Sequence, residues 1–172
     1  MTKTALYALL ALALSTWAVP ANEASSTEPS PAAMNFVAGF SDDHLAGMLS
    51  RFGGRDPRLA LLAQVNGQAV ALTLDAAIAD AVRDNSAAWQ RNMALAWTPL
   101  MSDDELTSLA NAGAQSPHVD KYLELRGDAG QSMQILSQDL FRTILEDVLE
   151  TTIAVLSESP PGTDPSTATP TE

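Results

Sequence analysis

The chain has 172 residues with 21 Asp and Glu against nine Lys and Arg, a formal charge of −12, and no cysteine. That acidic balance has the wrong electrostatic sign for phosphate backbones and anionic membrane surfaces, which disfavours nucleic acid as a partner. The missing thiols exclude a disulfide framework and a thiolate metal site, so an apolar core alone has to hold the fold together.

Residues 1–21 read as a secretory signal peptide. Lys3 supplies a positive n-region, Ala5 to Leu14 is apolar without interruption, and Val19 and Ala21 place small or modest side chains at the −3 and −1 positions. The apolar run is shorter than the ~20 residues of a membrane span, and no comparable run is expected later. No cysteine follows it to carry a lipid. The expected product is exported, periplasmic or secreted, with neither a membrane span nor a lipid anchor. Residues 22–32 and 157–172 are rich in Ser, Thr, Pro and acid and lack large apolar groups. They are expected as a disordered spacer and a disordered tail around a domain spanning residues 33–156.

Within that domain the periodicity is helical. Met34, Phe36, Val37 and Phe40 form an apolar lead-in. Ser41 is the expected cap of a first helix, with Asp42 and Asp43 at the positive end of its dipole. Leu45, Met48, Leu49 and Phe52 make its stripe, and Gly53-Gly54 its stop. Asp56-Pro57 starts the next helix as cap and first residue. Asn66-Gly67 marks a kink or a break. Beyond it, Ile78 and Val82, then Trp89, Met93 and Trp97, continue at four-residue steps along one helix or two in series. Val70 to Leu74 alternates like a strand but has no partner of similar pattern, so it is assigned to helix.

Thr98-Pro99 should end that segment. Ser102 to Glu105 fits a capping box, with Leu106, Leu109 and Ala110 inward and Gly113 closing the helix. Ser116-Pro117 opens another, with Val119, Tyr122 and Leu123 inward and interruptions at Gly127 and Gly130. The last helix, about Gln131 to Leu156, shows the strongest periodicity. Met133, Leu136, Leu140, Ile144 and Val148 form one stripe; Phe141, Leu145, Leu149 and Ile153 form its neighbour. Its broad apolar face makes it the expected centre of packing. The fold class is therefore all-α, a single-domain helical bundle.

A repeat is also visible. Phe40-Ser-Asp-Asp-His-Leu45 matches Met101-Ser-Asp-Asp-Glu-Leu106, and each is followed by a capped proline, Pro57 and Pro117. Two similar helical hairpins would produce this pattern, and so would convergent capping chemistry. The segment from Trp97 to Leu123 resembles the bacterial exported domain-of-unknown-function family numbered 2059, whose pattern is roughly F-[ST]-x-x-E-L, an apolar helix, then S-P-x-G-x-K. Ser102, Glu105, Leu106, Ser116, Pro117 and Lys121 fall on that pattern. The family's aromatic pair is replaced here by Gly113-Ala114 and its glycine by Val119. The resemblance implies an exported helical domain and brings no activity, cofactor or catalytic residue.

No catalytic motif, cofactor loop or metal-ligand spacing is found. His44 and His118 lie beside acids in first helical turns, where solvent-facing side chains are ordinary. Asp103, Asp104 and Glu105 are explained by capping and dipole effects rather than by a cation site. Trp89, Met93 and Trp97 share one face and are the candidate apolar ligand or partner surface, with Met48, Met101 and Met133 as adaptable neighbours. The expected role is a non-catalytic, exported interaction or envelope accessory module, with another envelope protein as partner. The alternative is a carrier of a small apolar ligand in a cleft near Trp89 and Trp97.

Overall fold

The computed structural model describes residues 28–158. The signal peptide, most of the spacer and nearly all of the acidic tail lie outside them. Among the described residues there are five α-helices and no strand, so the protein is an all-α bundle.

Helix α1 (Pro31–Ala38) begins two residues inside the expected spacer. Ser30 caps it by accepting from the Ala33 amide at 3.1 Å, and Pro31 needs no partner for an amide it lacks. Ala33 and Val37 are fully buried, so the lead-in is a core helix. Helix α2 (Ser41–Gly53) starts one residue earlier than its sequence implied. Phe40 sits at the cap position with no side-chain cap bond, while buried Ser41 donates to Asp42. The ring of Phe40 is drawn onto Phe36, which leaves Ser41 inside the first turn. The stop at Gly53 is a close approach rather than a left-handed cap: Gly54 has φ −63°, and a Cβ on Gly53 would lie 3.3 Å from Leu74 Cδ1.

Helix α3 (Pro57–Trp97) runs through 41 residues with one kink at Asn66, φ −151° and ψ 80°. The Asn66 side chain accepts from the Ala69 amide at 3.0 Å and so re-caps the second segment. Val70 to Leu74 is helical. The helix also holds an 18-residue window of mean hydropathy 1.2 with at most two charged residues, long and apolar enough to cross a membrane by length and composition. In the fold, α3 packs against α5, α2 and α1.

Helix α4 (Asp103–Ala112) has the expected capping box, Ser102 Oγ accepting from the Glu105 amide and Glu105 from the Ser102 amide. Gly113 closes it at φ +51°, a backbone region that favours glycine. Ala110, expected inward, is exposed. After a short 3-10 turn at Gly113–Gln115, α5 (Val119–Glu158) runs unbroken for 40 residues. Gly127 and Gly130 do not interrupt it, because burial of neighbouring Ala129 and Met133 holds the helix across them. Leu123 and Leu136, expected inward, are exposed. The helix also extends two residues beyond Leu156, into the expected tail.

Short-then-long helices occur twice, α2–α3 and α4–α5, as the sequence repeat implied. The packing is not repeated: α2 lies on its own long helix, whereas α4 lies chiefly on α1. The hub is α3 rather than the last helix. Its polar side chains also tie it to the others. Ser86 donates to Asp42 on α2, Gln90 to the Met34 carbonyl on α1, and Asn92 to the Leu136 carbonyl and Ser137 on α5.

A Cβ added to Gly127 meets nothing within 4 Å. Gly127→Ala is therefore expected to stabilise the protein by ~0.5–1 kcal/mol, because a helical glycine forfeits chain entropy and gains no packing. Thermal unfolding would show a rise of roughly 2–4 °C per kcal/mol; an unchanged or lower midpoint would show that the helix is strained there.

Candidate functional site

The three stripe residues Trp89, Met93 and Trp97 come together on α3, at 2%, 4% and 5% exposure. They form the floor of a cleft of about 650 Å³ that opens to solvent between α2 and α5. His44, Met48, Arg51 and Phe52 of α2 make one wall. Tyr122, Arg126, Gly130, Met133 and Phe141 line the other from α5, at spacings that keep them on one helical face.

Aromatic contacts close both ends. Where α2 begins, Trp97 stacks on Tyr122 with centroids 5.0 Å apart and planes at 23°. Phe36 meets that pair edge-on, at 5.7 Å from Trp97 and 5.9 Å from Tyr122, and also packs on Phe40. Where α2 ends, Phe52 meets Phe141 edge-on at 5.5 Å, so the two walls touch. Edge-to-face and offset-stacked geometries suit the ring quadrupoles and make these ends stiff. Between them the His44 ring stacks on Trp89 at 5.8 Å.

His44, Arg51, Arg126, Gln134, Ser137 and Gln138 are the polar side chains of a mainly apolar lining. Ser137 is buried and already engaged, within 3.1 Å of Asn92 Nδ2 and 3.4 Å of the Met133 sulfur. Trp89 Nε1 is buried with no hydrogen-bond partner, a donor left unmade that costs stability. Burial lowers the His44 pKa below its ordinary 6.5, so the ring is neutral at pH 7. The cleft's formal charge at that pH comes from Arg51 and Arg126 alone, since no Asp or Glu lines it.

The two histidines have separate surroundings. His118 Nδ1 lies 3.9 Å from Glu105, at the junction of α4 and α5, and His44 lies against Trp89. Among the described residues, no group of three or more His, Asp and Glu is placed to hold a metal ion. Met48 and Met133 line the cleft, whereas Met101 is buried in the core.

The residues of the sequence pattern at 102–121 serve one structural junction. Lys121 Nζ donates to both Glu105 oxygens at 2.8 and 2.7 Å, and Ser116 Oγ lies 2.9 Å from Ser108 Oγ. The Lys121 ammonium and the Ser102 amide together hold the Glu105 carboxyl down at about 2. A carboxylate whose folded pKa lies below its unfolded value of about 4.5 stabilises the fold above that value, and the contribution disappears as pH falls from 4.5 to 2. Thermal midpoints over that window should fall less steeply in Glu105→Gln than in the parent protein. Equal slopes would show that the junction contributes nothing to acid sensitivity.

Compared with protein-family models, with curated proteins and with solved structures, the chain gives no match. Its site is therefore read from its own geometry.

Proposed function

We propose that the protein is a non-catalytic, exported binding module that carries a small apolar ligand in the cleft between α2, α3 and α5. One observation carries this reading: about 650 Å³ of open space is lined mainly by aromatic rings and methionines. Small-molecule sites are concave, largely apolar and furnished with few polar groups, with volumes of roughly 300–1,000 Å³. Methionine walls adapt to a guest, and stiff aromatic ends limit its length. Export rests on the apolar run of residues 5–14 with Val19 and Ala21 after it, and on the resemblance of residues 97–123 to an exported family.

The test uses Nile red, a neutral apolar dye, with the parent protein and Gly130→Leu. Gly130 lines the cleft and a Cβ there meets nothing within 4 Å, so leucine can fill the space without overpacking. Saturable binding that the leucine variant loses while keeping its fold supports the carrier reading. Binding that is non-saturable, or unchanged in the variant, counts against it.

A second reading, an interaction or envelope accessory role, rests on a different surface. Leu61, Val65 and Leu72 of α3 are 66%, 81% and 64% exposed, large apolar side chains that a soluble monomer does not need outside. Substituting serine at all three should abolish co-purification of an envelope partner and leave Nile red binding intact. A partner retained by the triple variant would remove this reading.

A further inference from the structure

Asn66 is the only asparagine in the chain followed by glycine, and it stands where α3 is interrupted. Its φ of −151° and ψ of 80° lie outside the helical region. Asn66 and Gly67 are both exposed, and a Cβ built on Gly67 meets nothing within 4 Å. A regular helix ties each backbone nitrogen into its hydrogen-bonded ladder and keeps it from turning onto the preceding side chain. At the kink that restraint is absent. As the residue after a cap, Gly67 lies in a first turn, whose amides have no partner within their own segment. The Asn66 carboxamide is also polarised, since its Oδ1 accepts from the Ala69 amide at 3.0 Å. Asn66 does not line the cleft, so its chemistry is separate from the carrier reading.

From this we infer that Asn66-Gly67 is a site of spontaneous deamidation in the folded protein. The Gly67 nitrogen, its proton taken by hydroxide, bonds to Asn66 Cγ. The Cγ–Nδ2 bond breaks, and the side-chain nitrogen takes up protons from water and leaves as ammonia. One water molecule then opens the succinimide ring at either of its two carbonyls. Opening at Cγ gives aspartate; opening at the backbone carbonyl gives isoaspartate, whose main chain runs through Cβ and Cγ. The products act differently on α3. Aspartate keeps an oxygen for the Ala69 amide and adds negative charge at the positive end of the second segment. Isoaspartate lengthens the backbone at the kink and shortens the capping side chain. It therefore re-aims residues 57–65, which carry the exposed Leu61 and Val65. Asn85 is the contrast within the same helix. It precedes the small Ser86, but its backbone is helical and its Nδ2 donates to the Ala81 carbonyl at 2.8 Å.

The experiment incubates the full chain at mildly alkaline pH, folded and in urea. Peptides are then mapped by mass spectrometry with fragmentation that separates aspartate from isoaspartate. At Asn66 the folded protein should gain the mass of an amide nitrogen replaced by oxygen. Its rate there should lie within about tenfold of the urea-unfolded chain, which equals ~1.4 kcal/mol of protection at most. Asn85 should react only in urea. The rate at Asn66 should rise with pH, because the attacking nitrogen must lose its proton, and isoaspartate should be among the products. Gly67→Ala should suppress the reaction by hindering the approach of that nitrogen. The open space around Gly67 lets this variant keep the fold, which circular dichroism checks. Equal protection of Asn66 and Asn85 in the folded chain overturns the inference. So does a rate unchanged in Gly67→Ala, or aspartate formed without isoaspartate, which means direct hydrolysis.

Discussion

Replacing Trp89 with alanine should lower the free energy of unfolding by roughly 3–5 kcal/mol, a large share of the ~5–15 kcal/mol that holds a domain together. Trp89 is 2% exposed and touches α2 through His44 and α5 through Phe141. Its removal leaves a cavity where three helices meet, and α2 and α5 cannot both close on it because Phe52 and Phe141 already touch. Trp89→Phe should cost markedly less, since it keeps an apolar ring and deletes the unpartnered Nε1 donor. Urea unfolding followed by far-ultraviolet circular dichroism reads both variants without relying on tryptophan emission. A loss below about 1 kcal/mol for Trp89→Ala would place the ring outside the core.

Leu45→Ala should cost about 2–5 kcal/mol. Leu45 and Leu49 are fully buried and are the inward pair that seats α2 against the hub, so the deletion acts at one wall of the cleft. Exposed Leu72, 64% accessible, provides the contrast: Leu72→Ala should stay within about ±0.5 kcal/mol. Similar losses at both positions would contradict the burial pattern. A loosened α2 should also weaken Nile red binding in Leu45→Ala, whereas Leu72→Ala should bind as the parent does.

Local chemistry was readable wherever it acts within a few residues. The capping box at Ser102 and Glu105, the proline start at Pro57, the closing glycine at Gly113 and the weak point at Asn66 each follow from side chains that meet neighbouring amides. The stripe of Trp89, Met93 and Trp97 was likewise visible, because helical spacing places those residues on one face. Where tertiary packing outweighs propensity, the reading shifted. Gly127 and Gly130 look like breaks in isolation, but α5 packs along α3 and stays helical through both. Ser41 looks like a cap, but the contact between Phe36 and Phe40 moves the cap position to Phe40.

The candidate site divides in the same way. The floor of the cleft lies on one helix and has a sequence signature. Its walls come from residues 40–52 and 122–141, and nothing along the chain announces that Phe52 meets Phe141 or that His44 stacks on Trp89. By itself the sequence determined the all-α class, the helix limits set by local capping such as those at Pro57, Ser102 and Gly113, and the apolar face of α3, because these depend on periodicity and on hydrogen bonds between near neighbours. Only the tertiary structure decided that α3 is the hub, that α4 packs on α1, and that α2 and α5 wall an apolar cleft above the α3 stripe. Those features arise from contacts between residues tens of positions apart, whose geometry is set by which faces pack and not by any local pattern.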